Sequence, residues 1–363
     1  MKVDIIAGTR PNFIKIAPLV SALQLAHDSG KSIDFRLIHT GQHYDENMSE
    51  SFFKQLNIPR PDINFGAGGG SQAVQTAAIL VAYEELLLKE PTDLCIVVGD
   101  VNSTMACAIA ARKANIPVAH VEAGIRSFDN SMPEEINRKI TDSISNYFFT
   151  TTVLASENLK KEGIDENNIF LVGNVMIDTL LKSKDKFIKP IFWDEYFLEK
   201  KNFLLLTIHR PSNVNNKEKL KNYIINILSN SEDAKIIFPV HPRTIKAIEE
   251  LDIKDDRLIV VPPMSYLEFN YLVMNSKAVI TDSGGITEET TVMGVPCITL
   301  RDNTERPETV TIGTNELIGT NPEAIKPVLE KLFSGNWKKG NIPELWDGKT
   351  AERIIDIIVK NNL

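Results

Sequence analysis

The sequence predicts an α/β protein made of two Rossmann-like parallel-sheet domains facing a cleft. Three observations carry that expectation. Short apolar runs alternate with amphipathic stretches from end to end, the pattern of βα repeats feeding a parallel sheet. The pattern restarts near residue 203, and 363 residues are long for one domain but ample for two. A charged, aromatic-interrupted connection containing Pro190 runs from Gly173 to about Lys201 and separates the halves. The expected domains are 1–172, joined by a C-terminal helix within 350–363, and 173–349, with a hinge near Gly173.

In the first half, residues 3–7, 35–39, 94–98 and 118–121 are short apolar runs that read as buried strands. Between them, 12–24, 71–89 and 103–114 carry apolar residues at helical spacing. Residues 148–150 and 169–172 add two short strands around a helix at 156–162. The second half repeats the scheme, with strands at 203–208, 234–239, 258–261, 278–281 and 297–300 and helices at 217–229, 244–250, 266–274 and 285–293. The last helix, 350–360, presents Ile354, Ile355, Ile357 and Ile358 and needs a core to dock on, with the first domain as the candidate.

Composition bounds the function. Hydrophobic residues make up 43% and charged residues 24%, as in a soluble globular protein, and no apolar stretch reaches membrane-spanning length. The N-terminal apolar run is too short for a secretory segment, so a cytoplasmic location is expected. A net charge of −8 disfavours a nucleic-acid surface. Cys95, Cys107 and Cys297 lie in or beside apolar runs without metal-ligand spacing and read as core, so no metal site is expected.

Isolated carboxylates follow two of the strands. Asp100 comes after Val97-Val98-Gly99, Glu122 sits at the end of Pro117-Val118-Ala119-His120-Val121, and Glu134 lies in Met132-Pro133-Glu134-Glu135-Ile136-Asn137-Arg138. In open α/β sheets ligands bind beyond the carboxyl ends of the strands, so Asp100 and Glu122 stand where acid and base groups would. Asp100 and Glu134 also read as caps of the helices that follow them, the better reading for either alone; three carboxylates in one stretch favour chemistry.

Two βα turns are suited to anions. Gly8-Thr9-Arg10-Pro11, with Lys15 one turn on, opens the first helix, and Thr281-Asp282-Ser283-Gly284-Gly285 opens a helix that carries Glu288 and Glu289. Helix N-termini present backbone N–H groups to phosphate, and a glutamate a turn or two in can accept from ribose hydroxyls. Neither turn has the Gly-x-Gly-x-x-Gly spacing of a dinucleotide site. Arg301 and Arg306 follow a neighbouring strand and can neutralise phosphate, while His209 and His241 sit at strand ends as candidate proton-transfer or phosphate-contacting groups.

Taken together, Gly8-Thr9-Arg10-Pro11 with Lys15, Gly41-Gln42-His43, Gly99-Asp100, His120-Val121-Glu122-Ala123-Gly124 with Arg126, Pro133-Glu134-Glu135-Ile136-Asn137-Arg138, Gly173-Asn174, His209-Arg210, Asp282-Ser283-Gly284-Gly285 with Glu288-Glu289, and Arg301-Asp302 with Thr304-Glu305-Arg306-Pro307 resemble the non-hydrolysing UDP-N-acetylglucosamine 2-epimerases, in order and at family spacing. The resemblance implies a GT-B-like fold, a homodimer and reversible inversion at C2 of UDP-GlcNAc, by loss and re-addition of UDP without NAD. It assigns catalysis to Asp100, Glu122, Glu134 and His209. UDP and sugar contacts fall on Arg10, Lys15, Arg138, His241, Phe269, Ser283, Gly284, Gly285, Glu289 and Arg301, with Phe269 near uracil. A regulatory second-substrate site falls near Gln42 and His43. Ser212 stands where many members have glutamate, and Thr287 where glutamine is usual. Ser127-Phe128 and Met132 also resemble a branch acting on UDP-2,3-diacetamido-glucuronic acid. A hydrolysing 2-epimerase, a GT-B glycosyltransferase and a UDP-sugar sensor are the other readings.

Overall fold

The computed structural model describes residues 1–41, 53, 55–240, 245, 248–361 and 363, and resolves two compact units. In the first, the seven strands β1 (Lys2–Ala7), β2 (Asp34–His39), β3 (Ile63–Asn64), β4 (Leu94–Val98), β5 (Val118–Ala123), β6 (Tyr147–Thr150) and β7 (Ile169–Leu171) form one parallel sheet in the order β3-β2-β1-β4-β5-β6-β7. The crossovers include the helices α1 (Arg10–Asp28), α2 (Gln72–Lys89), α3 (Asn102–Lys113), α4 (Pro133–Ile144) and α5 (Val153–Lys161), with α6 (Val175–Ser183) following β7. Strand order reverses between β1 and β4, which is where a doubly wound sheet opens a ligand crevice beyond its strand ends. Gly8 and Thr9 leave β1 there, and Gly99 and Asp100 leave β4.

The second unit repeats the plan with β8 (Phe203–Thr207), β9 (Lys235–Pro239), β10 (Leu258–Val261), β11 (Ala278–Thr281), β12 (Cys297–Thr299) and β13 (Asn315–Leu317), ordered β10-β9-β8-β11-β12-β13. Its main helices are α7 (Lys217–Ser229), α8 (Tyr266–Asn275), α9 (Gly284–Met293) and α10 (Ile325–Phe333). Here the order reverses between β8 and β11, so His209 and Asp282-Ser283-Gly284 stand at the second switch point.

The three cysteines are buried thiols, and burial pushes all three up from the ordinary thiol range. Among the described residues no helix is long and apolar enough to cross a membrane.

The boundary falls later than the sequence indicates. The first unit comprises 1–183 with 344–363, and the second 184–343. The stretch after Gly173, read as linker, instead forms α6, which packs on α1 and buries Val175, Ile177 and Leu180. Thr179 donates its hydroxyl to the Ile14 carbonyl. Residues 344–349 join the same unit through Trp346, whose indole N–H donates to the Thr151 carbonyl at 3.1 Å. The position expected for the hinge therefore lies inside the first unit, and the chain crosses at 183/184 and 343/344. The C-terminal helix Thr350–Asn361 sets Ile354, Ile355 and Ile358 into the core that holds Val3, Phe13 and Leu19. Strand β13 and helix α10, neither of them expected from the sequence although α10 buries Ile325, Leu329 and Leu332 at helical spacing, complete the second sheet and its cover.

Asp178 of α6 ties that closure together, its carboxylate accepting from the Thr350 and Ala351 N–H groups at 3.1 and 2.7 Å. It serves the C-terminal helix as a cap supplied from another element. Asp178→Ala is expected to destabilise the first unit by about 1–2 kcal/mol, read as a lower midpoint in urea unfolding; an unchanged midpoint would show the cap to be idle.

Candidate active site

At the first switch point two carboxylates are each held by a buried cation. Lys15, on the second turn of α1, sets its Nζ 2.6 Å from Glu122 Oε2, and both side chains are almost completely enclosed. Asn12, one turn earlier, bonds to Thr9 at the helix start and to the Val98 carbonyl, fixing α1 against β4. Gly99 has φ +71°, and a Cβ there would stand 3.1 Å from Lys15 Nζ, so glycine lets the turn pass close to the pair. Glu122 itself has φ +70° at a break in the β5–β6 register, a left-handed conformation that costs a branched or long side chain energy.

Asp100 is gripped by Arg138 of α4, whose Nη2 and Nε lie 2.7 and 3.0 Å from its Oδ2. Asn137 donates to the Asp100 carbonyl at 2.9 Å. The same Arg138 donates through Nη1 to Glu135 at 2.6 Å, and Glu135 also accepts from the Ser127 and Phe128 N–H groups. Burial would raise the Glu135 pKa, but these donors outweigh it and hold the carboxyl below its usual range. Glu134 lies exposed in the first turn of α4, three and four residues before Asn137 and Arg138 and so on the side of the helix that holds Asp100.

In the second unit Asp282 is wholly buried and organises the turn after β8. Its carboxylate accepts from the N–H of Arg210 at 2.9 Å and from the Asn213 amide at 3.0 Å, and stands 2.9 Å from His209 Nδ1. Burial would raise its pKa, yet His209, Asn213 and Arg210 hold it below the usual carboxylate range. This pairing directs Nδ1–H to the carboxylate, while the His209 ring is 63% exposed and presents Nε2 for proton transfer.

Ser283 caps α9 without a side-chain capping bond, so its hydroxyl and the first N–H groups of the helix can face an anion together. A Cβ on Gly284 would stand 2.6 Å from Glu305 Oε1, so glycine lets the Glu305 carboxylate lie against the helix start without shifting. Arg301 pairs with Glu305 at 2.7 Å, and although burial opposes it, the arginine's charge holds the Glu305 carboxyl down to about 2. Arg301 Nε and Nη1 are buried with no hydrogen-bond partner among the described residues, two donors suited to a phosphate. One turn deeper, Glu289 accepts from Tyr266 of α8 at 2.8 Å, with the Asn270 amide at 3.5 Å. Burial pushes the Glu289 carboxyl up to about 7 despite these bonds. Phe269, on the same helix, is half-buried against the second core. Glu288 turns instead to Arg306, 2.8 Å away.

The structure thus gathers Lys15, Asp100, Glu122 and Arg138 at one switch point and His209, Ser283, Gly284, Gly285, Glu289 and Arg301 at the other. Gln42, His43 and His241 lie outside the described residues, as does the side chain of Arg10. Among the described residues no cluster of His, Cys, Asp or Glu is arranged to hold a metal ion. The sequence reading missed Asp282 as the group that orients His209, although it stands in the quoted turn, and missed Glu135, one residue from Glu134. Tyr266 gave no signal, being 23 residues from its partner Glu289.

Two such sheets define a GT-B-like α/β protein. Residues 25–359 match the family described as UDP-N-acetylglucosamine 2-epimerase. A UDP-N-acetylglucosamine 2-epimerase of Methanocaldococcus jannaschii is 45% identical, covering 99% of each chain. A UDP-2,3-diacetamido-2,3-dideoxy-D-glucuronate 2-epimerase of Pseudomonas aeruginosa is 42% identical over 88% of each. A crystal structure of the M. jannaschii UDP-GlcNAc 2-epimerase in complex with UDP-GlcNAc and UDP superposes with a TM-score of 0.86 at 44% identity, covering 99% of this chain and 100% of that one. The chain belongs to the UDP-N-acetylglucosamine 2-epimerase family.

The raised pKa of Glu289 has a definite sign in stability. Below pH 4.5 the group is protonated in folded and unfolded chains alike; between 4.5 and about 7 only the folded chain keeps the proton, so stability falls as pH rises through that window. The penalty reaches roughly 3 kcal/mol above pH 7. Glu289→Gln is expected to unfold at the same urea concentration as wild type at pH 4 and at a higher one at pH 8; equal midpoints at pH 8 would contradict the shift.

Proposed function

We propose that the protein interconverts UDP-GlcNAc and UDP-ManNAc by inverting C2 through elimination and re-addition of UDP, supplying a polysaccharide precursor. The observation that carries this reading is the pair of cation-held carboxylates, Lys15–Glu122 and Arg138–Asp100, at the strand ends of the first unit. A C–H next to the anomeric carbon is a weak acid, and its removal needs a base that is already ionised and placed. A buried cation beside a carboxylate fixes its position and offsets the cost of enclosing it.

In the proposed step a carboxylate of the first unit takes the C2 proton. The C–H electrons form the C1–C2 double bond of 2-acetamidoglucal, and the C1–O bond breaks with its electron pair leaving on UDP. Return of UDP to C1 and of a proton to the other face of C2 gives the epimer, so two proton-transfer groups are needed, drawn from Asp100, Glu122, Glu134 and His209. UDP is assigned to the second unit: phosphate oxygens to Ser283, Gly284, Gly285 and Arg301, ribose hydroxyls to Glu289, and the base to the neighbourhood of Phe269. Lys15 and Arg138 hold these carboxylates in place. No step calls for a nicotinamide. The homodimer and the cytoplasmic location implied by the family resemblance belong to the same proposal.

One observation favours a second reading, a 2-epimerase for UDP-2,3-diacetamido-glucuronic acid. The P. aeruginosa relative with that name is nearly as similar as the M. jannaschii one. Comparing kcat/KM on the two sugars by NMR of the products separates them. The leading reading expects UDP-ManNAc from UDP-GlcNAc; release of free ManNAc and UDP would make the protein a hydrolase, and turnover of the diacetamido sugar alone would shift the substrate.

Two variants test the division of labour. Glu122→Gln is expected to lower kcat by about 100-fold or more while calorimetric UDP affinity stays within a few-fold. Arg301→Ala is expected to weaken UDP binding by about 10–100-fold, the worth of a charge-assisted contact. The reverse pattern would overturn the assignment.

A further inference from the structure

One buried cluster of titratable groups in the first unit touches neither proposed phosphate nor sugar ligands, yet it reaches both carboxylate loops. His120 on β5 is completely buried, with Nδ1 2.6 Å from Asp142 Oδ1 and Nε2 2.8 Å from the Gly99 carbonyl oxygen. Both partners are acceptors. The two bonds coexist only when both ring nitrogens carry hydrogen, so the geometry is that of an imidazolium enclosed in the sheet. Its charge is balanced by Asp142, which also accepts from the Gly124 N–H at 3.1 Å and faces Arg126 Nη1 at 2.7 Å. Arg126 in turn pairs with Glu162 at 2.6 Å, so two cations meet two carboxylates. Although burial would raise the Asp142 pKa, His120 and Arg126 hold it below the usual range.

The placement of these bonds is specific. Glu122, with its left-handed backbone, lies between two anchored residues: His120 is fixed through its ring and Gly124 through its N–H, both to the one Asp142 carboxylate. The other ring nitrogen pins the carbonyl of Gly99, the residue before Asp100. Asp142 lies one turn beyond Arg138 on α4, so the helix that holds Asp100 by its side chain also carries the anchor for Glu122. Strained backbone persists only where its surroundings over-determine it, and here one ion pair supplies that constraint to two loops.

We propose that His120 and Asp142 are positioning residues for the epimerisation, a buried ion pair that fixes the spacing of Asp100 and Glu122 without touching substrate. The inference rests on the function proposed above. Failure of that function would appear as an inactive wild-type protein, whereas the pair itself can be read in wild type by nitrogen-15 NMR of the histidine rings, without activity.

That spectrum, recorded at neutral pH with His120 assigned by its loss in a His120 variant, should show both His120 nitrogens protonated. A neutral tautomer would overturn the proposal. Two substitutions then separate the bonds. His120→Gln places an amide where Nε2 stands and can still donate to the Gly99 carbonyl; His120→Asn places one where Nδ1 stands and keeps only the Asp142 side. With kcat and KM measured on UDP-GlcNAc, both variants should lose kcat by about 10–100-fold, His120→Gln through the Glu122 loop and His120→Asn through the Asp100 loop. KM and UDP affinity should stay similar in both, because Asp142 keeps Arg126 and the Gly124 N–H. Wild-type kcat in either variant, or a loss explained by weaker UDP binding, would overturn the positioning role.

Discussion

The feature on which the first unit's site depends is the ion pair between Lys15 and Glu122, two nearly enclosed charges 2.6 Å apart. Desolvating a lone carboxylate or ammonium costs several kcal/mol even after relaxation, so each of the two is buried against its partner. Together they fix a carboxylate at a strand end, and they dictate what surrounds them. Helix α1 must start at Thr9 for Lys15 to arrive, β4 must leave through a glycine for the turn to pass, and Glu122 must accept a left-handed backbone to meet the amine. Arg138 does the same for Asp100 at the next strand.

The second unit solves a different problem with the same topology. Its switch point carries a helix start, a buried arginine with two donors unmet among the described residues, and a carboxyl whose pKa burial raises to about 7. Such a surface suits a diphosphate and a ribose more than proton abstraction. His209, held by Asp282 yet open to solvent, is a group of this switch point suited to moving a proton.

Much of this was legible because βα alternation fixes where strands end, and Asp100, Glu122, Ser283 and Gly284 announce themselves by interrupting apolar runs there. Other features were not legible for stated physical reasons. Glu134 and Glu135 are adjacent, and only the rotation of α4 decides that Glu135 is buried against Ser127 and Arg138 while Glu134 stays exposed. The domain boundary was misplaced because Gly173 and the charges after it resemble a linker, while the apolar side of α6 that docks on α1 is only nine residues long. Partners such as Tyr266 and Glu289, or His120 and Gly99, are joined by tertiary packing that no local spacing encodes.

In the proposed chemistry the carboxylates of the first unit exchange the C2 proton with solvent as UDP departs and returns. The most direct measurement is to incubate the protein with UDP-GlcNAc in deuterated water and follow C2 of the sugar by proton NMR. Every UDP-ManNAc formed should then carry deuterium at C2. UDP-ManNAc that keeps its original C2 hydrogen would contradict it, because a proton taken by one group and replaced by another from solvent cannot be the original one.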